Sequence, residues 1–471
     1  MVKRSASSWM GTFRTTGNRL VSTFSTKAWA KPFRNAVPLS ISSGAEGLLS
    51  LGATAVATRS LGVDVFGIMV FIMALRAVIG ALVKVRLRET IIRFGAQANE
   101  TGDRAKLQRL IGFGLVIDVA STLVGLAVLH LVIATILGML NIPATHADAA
   151  YYYGLTVAAT TLTGTTDSLL RLFDRFDLVG IQNVLTPAIR LAGGLGLAFA
   201  GAGLAAFLTL WGASLVVSRG WLAAVSLREL ARRDLLAPRQ ILTRAALRPA
   251  AGVWRHSFGM FCNQVVNRAR DKSAPLLIGA LLDPGAAAIL RIAENIGGLT
   301  RKPISKILIP ALYPALAQAT ASGNHRRRRR MAVRASLGAG VLGVAIMVPL
   351  VVFGETILRH AFGSGFQAAY MPMLLFAIAG VIRTFMSPLP PLLNVAGRVF
   401  TAVGIQLVAT AVWGTTMWLL VDSVDVSAVP LAEIAQTLVT GGMMYAIVRV
   451  YLPDRVNEPA KTPAPDPAPE A

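Results

Sequence analysis

Val65-Phe-Gly-Ile-Met-Val-Phe-Ile-Met-Ala-Leu-Arg-Ala-Val-Ile-Gly-Ala-Leu-Val83 runs directly into Lys84-Val-Arg-Leu-Arg88. The first stretch has one charge, Arg76, in nineteen residues. About 20 apolar residues in a helix cross the hydrocarbon of a bilayer. The second stretch opens a connection, 84–109, that holds seven lysines and arginines. An apolar span that ends in a basic loop is the repeating unit of a polytopic membrane protein, with the loop on the cytoplasmic side.

The unit recurs along all 471 residues. Spanning helices are expected at 37–58, 65–83, 110–136, 149–169, 179–200, 204–227, 254–280, 286–304, 332–353, 371–392, 399–421 and 430–449. Composition agrees: 54% of residues are hydrophobic and 15% charged, against about a quarter charged in soluble domains. Mean hydropathy is +0.60. The expected fold is therefore all-α, about twelve transmembrane helices.

The net charge of +23 and the run Arg326 to Arg330 could suggest nucleic acid. The distribution argues otherwise. Thirty-six lysines and arginines fall in the termini, the even-numbered connections and the span ends that border them, and two, Arg59 and Arg359, in the odd-numbered connections. This asymmetry orients the chain with both termini in the cytoplasm. Segment 1–36 is basic and lacks an apolar core long enough for a cleaved signal. Its Trp9, Met10, Phe13, Leu20, Val21 and Phe24 suit a helix lying on an anionic membrane surface, although an organellar transit peptide shares that composition. Residues 37–227 and 254–450 form two six-helix units joined by a basic linker, 228–253. The tail 451–471, rich in Pro, Ala and acids, reads as a disordered cytoplasmic end.

Enzyme chemistry has little to stand on. Cys262 is the single cysteine, so no intrachain disulfide and no C-x-x-C metal site exists. The five histidines are scattered, without H-E-x-x-H, and no expected span holds paired carboxylates at helical spacing. No catalytic residue, metal or cofactor is expected. An internal repeat supports two halves: Gly95-Ala-Gln-Ala-Asn-Glu-Thr-Gly-Asp-Arg104 aligns with Leu316-Ala-Gln-Ala-Thr-Ala-Ser-Gly-Asn-His325 at an offset of 221. The same offset places the turn at Asp64 over the turn at Gly285. Six spans per half give the halves one orientation, a parallel repeat.

Charges within the spans mark where water or a ligand enters, because one charge at the bilayer centre costs about 2.5–3.5 kcal/mol. Asp167, Glu433 and Arg219 lie near helix ends and read as interfacial anchors; Arg76 admits either reading. Helix seven differs. Asn263, Asn267 and Asp271 form an i, i+4 row beside Gln264 and Arg268, a wet face that cannot point at lipid. Pro275 beyond it should bend the helix. Arg291 and Glu294 continue the pattern in helix eight, and Arg190 lies near mid-depth in helix five. Either these groups form a packed ion-pair network, such as Asp271 or Glu294 with Arg291, or they line a hydrated cavity with excess positive charge. In the second case Arg190, Arg268, Arg270 and Arg291 are the candidates for holding an anionic head group, since the guanidinium fork matches phosphate oxygens. Glu46, Asn263, Asn267, Asp271 and Glu294 are the cavity's polar or ion-coupling candidates.

Three segments carry a family resemblance. Leu61-Gly-Val-Asp-Val-Phe-Gly67 resembles the L-G-x-x-x-F-G turn between the first two helices of polysaccharide biosynthesis flippases. Leu170-Arg-Leu-Phe-Asp-Arg-Phe-Asp177 resembles their basic–aromatic loop between helices four and five, and Asp271-Lys-Ser-Ala-Pro-Leu-Leu-Ile-Gly279 their D-x-x-L-I-G segment. The similarity in spacing and layout extends over 35–450. It implies the oligosaccharidyl-lipid flippase branch of the multidrug/oligosaccharidyl-lipid/polysaccharide exporter superfamily. That branch has two six-helix lobes around a central cavity, a MATE-like arrangement that works by alternating access in the bacterial inner membrane. The implied substrate is a polyprenyl-diphosphate-linked oligosaccharide for lipopolysaccharide, capsule or exopolysaccharide synthesis. The implied partners are membrane lipid, a polysaccharide polymerase and chain-length proteins. The alternative is a MATE-like drug or cation antiporter, which would bind its cation with cavity carboxylates. A membrane-embedded glycan polymerase would need a larger outer loop than 354–370.

Overall fold

The computed structural model describes residues 27–85, 87–139, 144–235, 253–301, 325–390, 392 and 399–451. The expected interfacial helix at 1–26, most of the linker, the second copy of the repeat at 316–324 and the tail lie outside the described residues. Among the described residues the chain is helical and has no strand.

A run Lys27–Val83 comprises two helices, α1 and α2, that meet at Gly62, where φ is 75° and ψ 178°. A side chain is strained in that conformation and glycine is not. The apolar part Ser42–Val83 has 42 residues, about 63 Å as one rod, which is twice the hydrocarbon thickness. Two crossings joined at Gly62 result. Then follow α3 (Arg88–Glu100), α4 (Arg104–Met139), α5 (Ala144–Leu155), α6 (Val157–Thr161), α7 (Gly164–Leu172), α8 (Phe176–Phe199) and α9 (Leu204–Arg232). The second half contains α10 (Val253–Leu281), α11 (Pro284–Gly297), α12 (His325–Ile357), α13 (Tyr370–Phe385), α14 (Val399–Val424) and α15 (Ala428–Tyr451).

Among the described residues each lobe thus has six spans, with α5, α6 and α7 forming one and the short α3 set apart. The lobes meet where the run Lys27–Val83, chiefly through the turn after Gly62 and α2, packs on α10 and α11. Six described segments are long and apolar enough to cross a membrane. Two of them, Ser42–Val83 and Val403–Arg449, are each a pair of spans. Leu48, Phe199, Val352 and Leu419 stand exposed on the outside, as a lipid-facing surface requires.

Besides shifts of a turn or two at several helix ends, the structure departs from the expected boundaries in four places. Helix one starts at Lys27 rather than 37. The connection 84–109 contains α3, whose Thr90, Ile91, Gly95 and Ala98 are buried against α4 and α7. Helix four is broken twice. The Thr160, Thr161, Thr163 and Thr166 hydroxyls donate to carbonyls three or four residues back, which weakens a helix. Asp118 of α4 then restarts it by accepting the Thr165 N–H at 2.7 Å, at the helix end where an acid is favoured. Lastly, the connection 354–370 contains a π turn, Leu358–Phe362, and a 3-10 turn, Ser364–Ala369.

Candidate functional site

The two turns that the 221-residue offset superposes touch each other. The Asp64 carboxylate lies against Gly285, and a methyl group on Gly67 would lie 1.9 Å from the Pro284 carbonyl oxygen. Phe66, buried between the lobes, meets Phe366 edge to face at 6.2 Å. Arg59 donates to the His360 carbonyl. These contacts explain the Leu61–Gly67 segment: Gly62 supplies the turn, Phe66 the plug, and Gly67 the close approach to α11. They close one face of the boundary between the lobes. Toward the other face, the start of α10 is tied to the first lobe through Trp254 on Phe113 at 5.0 Å and through a Thr90–Ser257 hydroxyl pair at 3.1 Å.

Beneath the closed face, Lys272, Pro275 and Arg291 oppose Val70, Met73 and Ala77 of α2 across a cleft of about 60 Å³. Arg190 projects from α8 within electrostatic range of both Arg291 and Arg76. Its Nε donates to Ser214 Oγ at 2.8 Å and its Nη2 to the Trp211 carbonyl at 3.4 Å; the guanidinium stacks 5.3 Å over the Trp211 ring. None of these partners is a carboxylate. The Nε and Nη1 of Arg76 are buried without a hydrogen-bond partner. Three arginines from α2, α8 and α11 therefore converge on the boundary between the lobes.

A second cleft lies within the C-terminal lobe, lined by Leu290, Glu294, Arg301, Trp413, Glu433 and Gln436. Arg291 bonds Glu294 at 3.3 Å, Arg301 reaches Glu433 at 2.6 Å and Glu294 at 3.9 Å, and Arg383 adds to Glu433 at 3.5 Å. Three arginines share two carboxylates. The packed-network reading of Arg291 with Glu294 and the cationic-excess reading both describe this region. Glu433 joins α15 to α13 and to the turn after α11. Arg301, at the loop end of the expected span 286–304, is absent from the expected candidates, yet it lies seven residues beyond Glu294, two helical turns along the same face. That spacing was the available signal. Glu46 is partly buried on α1. Asn263, Asn267, Arg268, Arg270 and Asp271 belong to α10, and their side chains lie outside the described residues.

Asp167 and Arg219 also do more than anchor. Asp167 accepts from Arg88 at 2.8 Å and from Arg171 at 3.2 Å with its side chain 11% exposed, joining α3 to α7. Arg219 lies within electrostatic range of Arg76, Arg88, Arg171 and Asp167. Removing one member of a buried pair strands the other and costs about 3–5 kcal/mol. Asp167→Ala is expected near the lower end, since Arg88 is one-third exposed. A lowered unfolding midpoint of the purified protein in detergent checks this, with Asp167→Asn falling between the two. A midpoint equal to that of the unmodified protein would remove the pair from the structural account.

Comparison with known proteins agrees with the architecture. Inner membrane protein YghQ of Escherichia coli K12 is 24% identical over 356 residues, which is 74% of this chain and 97% of YghQ. A mutant of the Vibrio cholerae MATE transporter VcmN superposes with a TM-score of 0.61 at 13% identity, covering 93% of this chain and all of that one. The eukaryotic MATE transporter AtDTX14 gives 0.58 at 16% identity, covering 89% and 96%. A MOP superfamily transporter from Pyrococcus furiosus, described as having a binding pocket of reverse polarity, gives 0.52 at 14% identity, covering 91% and 99%. The fold is that of the MATE transporters, in a multi-pass membrane protein. With residues 33–320 matching its pattern, well over half of the sequence, the chain belongs to the polysaccharide biosynthesis protein family.

Proposed function

We propose that the protein is a transporter rather than an enzyme, and that it flips a polyprenyl-diphosphate-linked oligosaccharide across the bacterial inner membrane by alternating access of its two lobes. The observation that carries this reading is the convergence of Arg76, Arg190 and Arg291 at the lobe boundary without a carboxylate on Arg190. A diphosphate head has the charge that such a set lacks, and guanidinium groups bind it through paired donors. Its lipid tail can stay in the bilayer while the head passes between lobes. Two of the carboxylates that a cation exporter could use, Glu294 and Glu433, are already engaged by arginines, which favours the anionic head group over the drug or cation antiporter. The Pyrococcus furiosus relative supports the idea that this fold tolerates a pocket of altered polarity. Polymerase and chain-length proteins are the partners this role would require.

The reading has two tests. Deleting the gene in a strain without a second flippase should stop surface or secreted polysaccharide while lipid-linked repeat units accumulate; normal polysaccharide with raised drug sensitivity alone would establish the antiporter instead. Orientation follows from the thirty-six-to-two cation asymmetry. In a Cys262→Ser background, a cysteine at Ser423 should label from outside intact cells, and one at Gln240 only after permeabilisation. Labelling of Gln240 in intact cells would overturn the placement of both termini in the cytoplasm.

A further inference from the structure

A cavity of about 710 Å³ lies apart from both clefts. It is a groove within the C-terminal lobe between α12, α13 and α15, and we propose that it binds one anionic glycerophospholipid of the cytoplasmic leaflet. Val333, Leu337, Leu389 and Val448 make its walls apolar, and Phe385 and Met386 stand at one end. Met386 closes that end by packing directly on Gly441 of α15. Arg329 and Arg449 stand at the other end, with Arg449 stacked 4.9 Å over the Tyr445 ring at the rim.

Length fits one leaflet. From Gly441 to Arg449 is eight residues, about 12 Å of helix, against about 15 Å for half the hydrocarbon thickness. An acyl chain entering beside Arg449 would end at Met386 near mid-membrane, with its phosphate at the level of both arginines. Arg329 belongs to the basic run 326–330 that starts α12, so the mouth faces the end of the lobe richest in positive charge. Basic pockets between spans on the cytoplasmic side are a recognised fit for anionic lipid head groups. The groove shares no lining residue with either cleft. That separation favours a resident phospholipid over the transported lipid. The cytoplasmic placement of the mouth rests on the orientation proposed above, but lipid retention is read on purified protein and does not depend on transport.

The test uses the full chain in neutral detergent, titrated with phosphatidylglycerol and, in parallel, phosphatidylethanolamine, with bound lipid counted by native mass spectrometry. One tightly retained phosphatidylglycerol is expected, and weaker retention of phosphatidylethanolamine. One basic residue near an anionic lipid is worth roughly fivefold in affinity, so Arg329→Ala with Arg449→Ala should weaken retention about 30-fold. Gly442→Leu provides a second variant that keeps both charges. Gly442 lines the groove, and a side chain there meets nothing within 4 Å, so leucine should fill the space and expel the lipid. Equal retention of the two lipids, or unchanged retention in both variants, would overturn the proposal. Displacement of phosphatidylglycerol by an equal concentration of polyprenyl phosphate would overturn it too, assigning the groove to the transported lipid's tail.

Discussion

Arg190→Ala is expected to abolish polysaccharide export while the protein remains in the membrane at normal abundance. Two charge-assisted hydrogen bonds, at about 1.5–3 kcal/mol each, make a bidentate contact with phosphate worth a hundredfold or more in binding. Abundance should hold because the partners of Arg190 are Ser214, the Trp211 carbonyl and the Trp211 ring, none of them negative. Removing it strands no opposite charge and ends the cost of keeping a guanidinium out of water. Asp167→Ala, by contrast, leaves Arg88 and Arg171 without their shared carboxylate. Arg190→Lys should restore export only in part, since an ammonium lacks the planar fork. Export assayed beside immunoblot abundance separates the cases: normal export in Arg190→Ala, or disappearance of the protein, would rule out a role in holding substrate.

A disulfide between Val63→Cys and Gly365→Cys, in a Cys262→Ser background, is expected to form spontaneously and to stop export until a reductant is added. A Cβ built on Gly365 lies 3.9 Å from the Val63 Cβ, within the roughly 3.5–4.5 Å that a disulfide needs. The bond would tie the two lobes at the face where Phe66 meets Phe366 and Arg59 meets His360. Alternating access requires that face to open, and a covalent tie removes the open state from the equilibrium. Gly67→Val in the same background should prevent the cross-link, because its side chain collides with the Pro284 backbone and wedges the turns apart. Cross-linked protein that exports at the unmodified rate would show that this face does not open during transport.

Much of this was written in the chain as one-dimensional pattern. A membrane span is decided by about 20 consecutive residues and orientation by the loops beside them, so the spans around Arg76, Asp118 and Arg291 and the two-lobe plan follow from local composition. The repeat offset marked the turns at Asp64 and Gly285 as equivalent, but their contact across the lobe boundary is known only from the fold.

What tertiary structure alone decided was the partner of each buried charge. Asp118 spends its charge on a broken helix, Asp167 on α3, and Glu433 on arginines 132 and 50 residues away. Periodicity shows which face of a helix is polar, but not how far its neighbour has slid along the membrane normal, and that offset determines which guanidinium meets which carboxylate. Arg301 could be counted with the loop because its own surroundings are basic; the fold turns it back onto Glu294 and Glu433. Depth along a helix is a local property. The charge that waits at that depth on the next helix is set by the packing of the whole lobe.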